Sequence, residues 1–382
     1  TGVMVTIADQ RVVICSPGFP ASIEDTDRPF LLNQARAIVA NGLKVTVVCP
    51  SIPGLSKRQV INGVEIIRVR YGPRRLETLA ATGAMYREAR GLKAVLVVPM
   101  ILSMLVIAVR ELRRGPSVAY GHWWVPGGCV AVIAARFSGK RSVVHLHGSD
   151  AEIAKTNPMR FLARFVLRFA DQRLAASDEL ARWGKQLCDR DAQTLSMPLD
   201  FDRFPTPSPV PSDGYVLGVG RLVPEKGFDV LIDAVGSLEE SIRPRVVIVG
   251  NGPEREVLVK KAAQAGVDLH LPGAVSPTEL GNWYERSRIV AVPSLREGFG
   301  LVAAEAAAAG RAVVASAVGG IPEVVVHGSS GLLVKPGNVE DLAAALRSVD
   351  PQWGENGPRR VSQLGMDAHG EVVSKICDKL IR

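Results

Sequence analysis

Glu297 and Glu305 flank a glycine-turned helix start, and this arrangement carries the most chemistry in the sequence. The run Glu297-Gly298-Phe299-Gly300 follows a β-rich stretch, Ile289–Val292, and precedes Leu301–Ala309, an Ala-rich helical stretch that Gly310 should stop. Two glycines let the backbone turn closely into a helix N-terminus. There the amides of Phe299, Gly300 and Leu301 can bind phosphate oxygens, aided by the positive end of the helix dipole. Glu297 stands just before that anion site, where its carboxylate can accept hydrogen bonds from sugar hydroxyls. Glu305 lies one turn inside the helix and suits a second hydroxylated group such as a ribose. Carboxylates beside a diphosphate repel it unless they serve hydroxyl donors, so the spacing fits a nucleotide-sugar. Taken alone, the motif leaves a plainer reading open, with Glu297 capping the helix and Glu305 solvated.

A second cluster supplies cations. Gly218-Val219-Gly220-Arg221-Leu222 ends a strand and Lys226-Gly227 opens the next helix, so Arg221 and Lys226 stand at a strand's carboxyl end. Together they can neutralise a diphosphate leaving group without a metal; a structural ion pair with acidic neighbours is the alternative. Val249-Gly250-Asn251-Gly252-Pro253-Glu254 is another strand-to-helix turn and by itself says only that. In the first half, His145-Leu146-His147-Gly148-Ser149-Asp150 follows a strand, and Asp150 either orients a hydroxyl or caps the next helix. Gly121-His122-Trp123-Trp124-Val125-Pro126 also follows a strand. Aromatic faces with a polar neighbour suit a sugar or a lipid headgroup, which places His122, Trp123 and Trp124 on the acceptor side. Core packing of either tryptophan stays open.

The elements that must hold these groups alternate. Strands are expected at Val12–Cys15, Lys44–Val48, Val64–Val69, Val118–Tyr120, Ser142–Leu146 and Arg173–Ala175. Helical stretches lie at Pro29–Asn41, Ala94–Val109, Pro126–Phe137 and Met159–Ala170. The second half repeats the pattern, with strands at Tyr215–Val219, Arg245–Val249, Asp268–Leu271, Ile289–Val292, Ala312–Ala315 and Gly331–Val334. Its helices are expected at Gly227–Leu238, Glu254–Gln264, Pro277–Glu285, Leu301–Ala309 and Val339–Val349, and a last one at Asp367–Ile381. Such alternation argues for mostly parallel sheets covered on both faces. The organisation read from it is a first domain over 1–198, a proline-rich linker over 199–213, a second domain over 214–365, and a terminal segment 366–382 available to pack back on the first. Ligands in such folds bind beyond the carboxyl ends of the strands.

Composition narrows the partners. The net charge of +8 is uneven, since residues 1–198 carry 27 Lys+Arg against 15 Asp+Glu. A basic first half suggests an anionic membrane surface or a phosphorylated acceptor, or else a solvated basic face with no partner. No basic run is interleaved with aromatics, so nucleic acid is not expected. Five scattered cysteines without C-x-x-C spacing indicate neither zinc nor a disulfide framework, which fits a reducing compartment. No leader with a basic start, apolar stretch and small-residue cleavage site opens the chain, so a cytoplasmic location is expected, with Met4 as the native start. Ala94–Val109 is apolar apart from Ser103 and interrupted by Pro99. That is short of the roughly 20 residues a spanning helix needs, so a buried or interfacial helix is expected. Its basic flanks, Arg87, Arg90, Lys93, Arg110, Arg113 and Arg114, suit peripheral attachment at the inner membrane face.

The E-x7-E arrangement inside SLREGFGLVAAEAAAAGRAVVASAVGGIPEVV resembles the donor signature of the retaining glycosyltransferases of family 4, and the likeness extends over essentially the whole chain. That resemblance implies the GT-B architecture, an α/β fold of two facing Rossmann-like domains with the donor/acceptor cleft between them. It implies that Glu297 binds hydroxyls of the transferred sugar, Glu305 the ribose, and Arg221 and Lys226 the diphosphate. By the same likeness Gly220 and Val275 lie near the nucleotide, and His147, in an HG(S/T)D-like turn, contacts the transferred sugar. One departure stands out. Many members carry a glycine pair in the loop after the first strand, whereas Ser16-Pro17-Gly18-Phe19-Pro20 has Gly18 alone, followed by the acidic Glu24-Asp25-Thr26-Asp27.

The function implied is retaining transfer of a sugar from a nucleoside diphosphate sugar, UDP by preference, to an acceptor hydroxyl. No permanently bound cofactor and no metal are expected. The acceptor is lipid-linked, as in surface-polysaccharide or glycolipid assembly, or a soluble small molecule. A sugar-nucleotide epimerase and a non-catalytic two-lobed binding protein are the rival readings.

Overall fold

A computed structural model describes residues 9–26, 28–79, 91–204 and 207–381. Met4, Asp27, Arg87 and Arg90 lie outside the described residues. The chain forms two compact units, Thr1–Pro198 together with Met366–Arg382, and Leu199–Gly365.

In the first unit the strands are β1 (Arg11–Cys15), β2 (Lys44–Pro50), β3 (Arg58–Ile61), β4 (Val64–Val69), β5 (Ser117–His122), β6 (Arg141–Leu146), β7 (Gln172–Ala175) and β8 (Gln193–Thr194). Among the described residues they form one sheet in the order β3-β4-β2-β1-β5-β6-β7-β8. Every pairing is parallel except β3 with β4. The interior strands are continuous apolar runs because both of their faces are covered; Val12 to Cys15 are wholly buried. Its larger helices are α1 (Pro29–Ala40), α2 (Val97–Leu112), α3 (Cys129–Ser138), α4 (Asn157–Phe169), α5 (Asp178–Cys188) and, last in the chain, α11 (Met366–Ile381).

One face of the sheet packs against Leu31, Leu32, Ala35 and Ile38 of α1, joined by Val373 and Cys377 of α11. The other face packs against Met100, Met104, Ala108 and Leu112 of α2 and the buried alanines of α3. The apolar stretch around Ala94–Val109 is therefore half-embedded, with one stripe in the core and another facing outward. By length and composition alone, Lys93–Leu112 would suffice to cross a membrane. Its buried methionines instead anchor it to the sheet.

The second unit holds β9 (Tyr215–Val219), β10 (Val246–Val249), β11 (Leu269–Gly273), β12 (Ser287–Val292), β13 (Ala312–Ser316) and β14 (Gly331–Val334). Their order is β11-β10-β9-β12-β13-β14, all parallel. Counted within the unit this is 3-2-1-4-5-6, the doubly wound dinucleotide-binding order, whose direction reverses between β9 and β12. The first unit, without its edge strands β3 and β8, has the same order and reverses between β1 and β5. The larger helices here are α6 (Phe228–Gly236), α7 (Arg255–Ala265), α8 (Pro277–Glu285), α9 (Leu301–Ala308) and α10 (Val339–Ser348).

The proline-rich stretch 199–213, read from the sequence as a linker, belongs to the second unit. Arg311 holds it there. This side chain is 1% exposed and donates to the carbonyls of Tyr284, Glu285 and Ser208 and to the Ser208 hydroxyl, at 2.8–3.0 Å. A planar guanidinium with five N–H donors can serve so many acceptors at once. Arg311→Met should strand the buried Tyr284 carbonyl and the partly buried Ser208 and Glu285 carbonyls and cost about 2–4 kcal/mol. Urea titration of the full chain, followed by hydrogen exchange of core amides in the second unit, reads that loss.

Candidate functional site

The loops that leave β9 and β12 meet at the point where the strand order reverses, and they carry the groups singled out in the sequence. Lys226 sits in a short turn after β9 and Glu297 in the loop after β12. The Lys226 ammonium donates to Glu297 Oε2 at 2.7 Å, and both side chains are mostly but not fully buried. Glu297 also accepts from the Gly298 amide at 3.2 Å and from the Ser294 hydroxyl at 3.4 Å. The ammonium has three donors and spends one of them here. Arg221 is exposed, and among the described residues no acidic group pairs with it. Of the two predicted cations, one is thus held against a carboxylate and the other points to solvent.

Gly300 takes φ 98° as the residue before α9, and a Cβ there would sit 2.8 Å from Ile321 Cγ1. Gly319, at φ 57°, lies so close to the loop that a Cβ would come within 2.1 Å of the Glu297 carbonyl oxygen. These two glycines let the loop fold flat against the next turn, where the Gly320 amide donates to the Gly298 carbonyl at 3.1 Å. Among the described residues the amides of Phe299, Gly300, Leu301, Val302 and Ala303 donate to no protein group, while Ala304 begins the helix by donating to Gly300. The Phe299 ring is buried, so its contribution to a ligand is its amide. Helix α9 is nearly all alanine and buries Ala303, Ala304, Ala306, Ala307 and Ala308.

Glu305 projects from α9 and accepts from the Tyr284 hydroxyl at 2.7 Å. Burial pushes its carboxyl up to about 7, opposed by the Tyr284 hydrogen bond and by the positive charges of Arg203 and Lys226. Lys226 therefore acts on both glutamates of the signature. Arg203, on the proline-rich stretch, and Tyr284, on α8, had no sequence signal; both come to Glu305 only through folding. Gly220, at the end of β9, and Val275, between β11 and α8, lie at carboxyl ends of the same sheet. Val275 is partly exposed.

In the first unit the corresponding reversal lies between β1 and β5. Here the structure separates the predicted residues. Asp150 is fully buried and clamps two loops. Its carboxylate accepts from the His147 amide at 2.6 Å and the Trp124 amide at 2.8 Å, and its own carbonyl accepts from Trp124 Nε1 at 3.0 Å. Burial pushes it up to about 6, against those amides. Its carboxylate is committed to backbone amides of two loops, and in this geometry its role is to brace them. Trp124 and His122 are fully buried as well, which corrects their placement against an acceptor; Trp124 is core. Trp123 is partly buried against the core, in the left-handed region at φ 58°, with its ring 4.6 Å from that of His147. Phe30 of α1 adds a third ring, 5.6 Å from His147.

The histidines form a buried chain. Gln34 donates to the Tyr120 hydroxyl at 2.8 Å, which pairs with His145 Nδ1 at 2.8 Å, while His145 Nε2 meets the Leu195 carbonyl at 2.9 Å. Since a carbonyl only accepts, His145 carries its proton on Nε2 and receives the tyrosine's on Nδ1. His122 Nδ1 lies 2.8 Å from His147 Nε2, and His122 Nε2 is buried without a partner. An orphan lone pair is better tolerated than an orphan N–H, so His122 donates from Nδ1 and His147 keeps its proton on Nδ1. Burial, with neighbouring histidines, lowers His122 to about 3 and holds His145 and His147 well below the usual imidazole range. All three are neutral. Their ring nitrogens lie within 4.8 Å of one another, a spacing a metal could bridge. Both nitrogens of His145 are already occupied, however, and His122 Nδ1 is bonded to His147 Nε2, which leaves His122 Nε2 orphaned.

Gly18 is buried, and its carbonyl accepts from the Ser16 hydroxyl at 2.7 Å. A Cβ on it would lie 2.5 Å from the Arg28 guanidinium. Its role in this geometry is to admit Arg28, a residue in the left-handed region just before α1 that sequence reasoning did not single out.

Comparison with known proteins identifies the family. The family described as "Glycosyl transferases group 1" matches residues 201–354, and the "Glycosyl transferase 4-like domain" matches residues 28–187. The chain is 31% identical over 291 residues to a D-inositol 3-phosphate glycosyltransferase of Nocardiopsis dassonvillei, covering 67% of each protein. It is 27% identical over 277 residues to an uncharacterized glycosyltransferase of Methanocaldococcus jannaschii, covering 70% of this chain and 76% of that one. Among solved structures, sucrose-phosphate synthase from Thermosynechococcus elongatus has a TM-score of 0.78 at 20% identity, covering 96% of this chain and 98% of that one. Anabaena HepE in complex with UDP has a TM-score of 0.71 at 18% identity, with 96% and 99% covered. At those identities the likeness is one of fold.

The raised Glu305 carboxyl has a measurable consequence. The folded state holds this proton up to about pH 7, whereas an ordinary glutamate loses it near 4.3. Its contribution to stability is thus complete below the ordinary value and is lost as pH rises through 7. Glu305→Gln keeps the shape without titrating. Thermal unfolding from pH 5 to pH 8 should show the variant gaining on the parent as pH rises, by on the order of a few degrees. Parallel curves would contradict the assignment.

Proposed function

We propose, from the premise that the chain belongs to the GT-B glycosyltransferases of the family 4 type, that it transfers a sugar from a nucleoside diphosphate donor to an acceptor hydroxyl with retention of anomeric configuration. The observation that carries this reading is the Lys226–Glu297 pair beside the unpaired amides of Phe299 to Ala303. A diphosphate seated at those amides meets the helix dipole and the two unspent donors of Lys226. Arg221, exposed at the end of β9, can close over the phosphates. Glu297 accepts from hydroxyls of the transferred sugar, and Glu305, beside Tyr284, accepts from a ribose hydroxyl. UDP is the donor nucleotide favoured, a choice supported by the fold shared with HepE, which was solved with UDP.

In the proposed reaction the bond between the anomeric carbon and the diphosphate oxygen breaks, and the acceptor oxygen bonds to that carbon on the same face. The departing diphosphate oxygen takes the acceptor's proton. The chain supplies charge stabilisation at the leaving group through Lys226, Arg221 and the amides. Because these cations carry that work, the reaction is proposed to run without a metal. His147, neutral and backed by His122, offers a hydrogen bond toward the sugar. Trp123 and Phe30 offer ring faces for the acceptor.

The acceptor is proposed to be a lipid-linked or surface-polysaccharide hydroxyl at the inner membrane face. A soluble small molecule is the second reading, favoured by the relatives named for inositol 3-phosphate.

Lys226→Ala and Glu297→Ala should each lower turnover by about two orders of magnitude or more while the circular-dichroism spectrum stays that of the parent. Near-normal turnover in both would remove the site assignment. A thermal-shift screen of nucleotide-sugars identifies the donor, because a ligand that binds only the folded state raises the melting temperature. Turnover with and without a chelator tests the metal-free reading. Incubation with donor alone separates transfer from epimerisation: an isomerised sugar nucleotide marks an epimerase, and release of nucleoside diphosphate only when acceptor is present marks a transferase.

A further inference from the structure

Helix α4 is built as two parallel rows. Phe161, Phe165 and Phe169 recur every fourth residue on one side, and Arg160, Arg164 and Arg168 run directly beside them. All six are exposed, Phe161 by 73%. A solvated helix does not place three phenylalanines in water at helical spacing, because the opposite stripe, Ala163, Val166 and Leu167, already supplies its core contact. Nor does the pattern stop at this helix. The Arg136 guanidinium of α3 lies 5.6 Å over the Phe169 ring, and its neighbour Phe137 is 66% exposed. Arg113, just past α2, donates to the Phe137 carbonyl at 2.9 Å. From there the outward stripe of the α2 segment continues with Val106, Leu102, Val98 and Val95, all exposed.

Three helices of the first unit thus present one apolar surface rimmed by arginines. Among the described residues of these helices, exposed acidic groups are missing. Within α2, α3 and α4 the one acidic residue is Glu111, which is buried and bonded to Arg114 at 2.9 Å. Rings and aliphatic chains at the level of the acyl boundary, with guanidinium groups at the level of phosphates, match the layering of an anionic bilayer surface. A second copy of this face would set arginines against arginines, so self-association does not satisfy it.

We propose that this surface docks the protein on anionic phospholipid bilayers, α4 lying in the plane of the interface with its phenylalanine row inserted. The proposal deepens the membrane-side reading of the acceptor. It can be tested apart from it, because vesicle binding requires neither donor nor acceptor. A failure here leaves sugar transfer standing, and a failure there leaves docking standing.

The test is co-sedimentation of the full chain with phosphatidylcholine vesicles, with and without phosphatidylglycerol, at low and high salt. Binding should require phosphatidylglycerol and weaken with salt. Phe161→Ser/Phe165→Ser, and separately Arg160→Glu/Arg164→Glu/Arg168→Glu, should each lower partitioning by about tenfold or more with unchanged circular dichroism. Val257→Ser/Val259→Ser, at exposed apolar positions of the second unit, should bind like the parent and controls for general surface polarity. No binding to phosphatidylglycerol vesicles at low salt, or binding indifferent to both sets of variants, overturns the proposal. So does a dimer in sedimentation velocity that Phe161→Ser/Phe165→Ser dissolves while vesicle binding is absent.

Discussion

The ion pair between Lys226 and Glu297 is the contact on which the donor-side arrangement depends. It joins the two loops that flank the reversal of strand order in the second unit, 71 residues apart in sequence. Without the ammonium, the Glu297 carboxylate would stand uncompensated near an amide cluster built for an anion and would oppose a bound diphosphate. With it, that charge is neutralised by direct contact, while Glu305 is kept from opposing the anion by burial, which pushes its carboxyl up to about 7. An exposed pair would be worth under about 1 kcal/mol. This one is mostly buried and charge-assisted, and its larger role is to fix where the remaining donors of Lys226 point.

The first unit solves the same topological problem with neutral groups. At its reversal, between β1 and β5, the described residues form a hydrogen-bonded chain of Gln34, Tyr120 and His145, beside the His122–His147 pair. Burial keeps every imidazole uncharged. His369 of α11 is buried near them, and burial lowers it to about 4. The terminal helix therefore does more than cover α1: it adds a fourth buried imidazole near the chain. A protonated His147 would place a cation beside three other imidazoles with no anion to offset it; neutrality lets it donate one directed hydrogen bond.

Much of this was legible in the sequence, for a specific reason. Interior parallel strands must be apolar on both faces, so Val64–Val69, Gly331–Val334 and most of their neighbours announce themselves as runs. Two edge strands lack that signature: Arg58–Ile61 is antiparallel with half its residues exposed, and Gln193–Thr194 is two residues long. The helix Asp178–Cys188 was missed although a cap marks it: the Ser177 hydroxyl accepts from the Leu180 amide. Lys226, Glu297 and Glu305 were found by type and spacing. Their partners Tyr284 and Arg203 were not, because nothing local distinguishes a tyrosine that will meet a glutamate from one that will not. Asp150 shows the same limit. Its carboxylate binds the Trp124 amide 26 residues away, and no reading of the HGSD turn reveals that commitment.

The α4 helix illustrates a different gap between pattern and meaning. Its periodicity gives a helix with an apolar side, and a sequence reader assigns that side to the core. The structure shows that Ala163, Val166 and Leu167 do the packing and that the phenylalanines face away. Phe165 and Phe169 pack ring against ring at 4.5 Å yet stay 45% and 41% exposed, and Phe161 is 73% exposed. The burial free energy of the apolar area they leave in water is available only to something outside the chain. The arginines beside them, unopposed by exposed acids, specify that this something is anionic, and they place the first unit's excess positive charge where a surface can reach it.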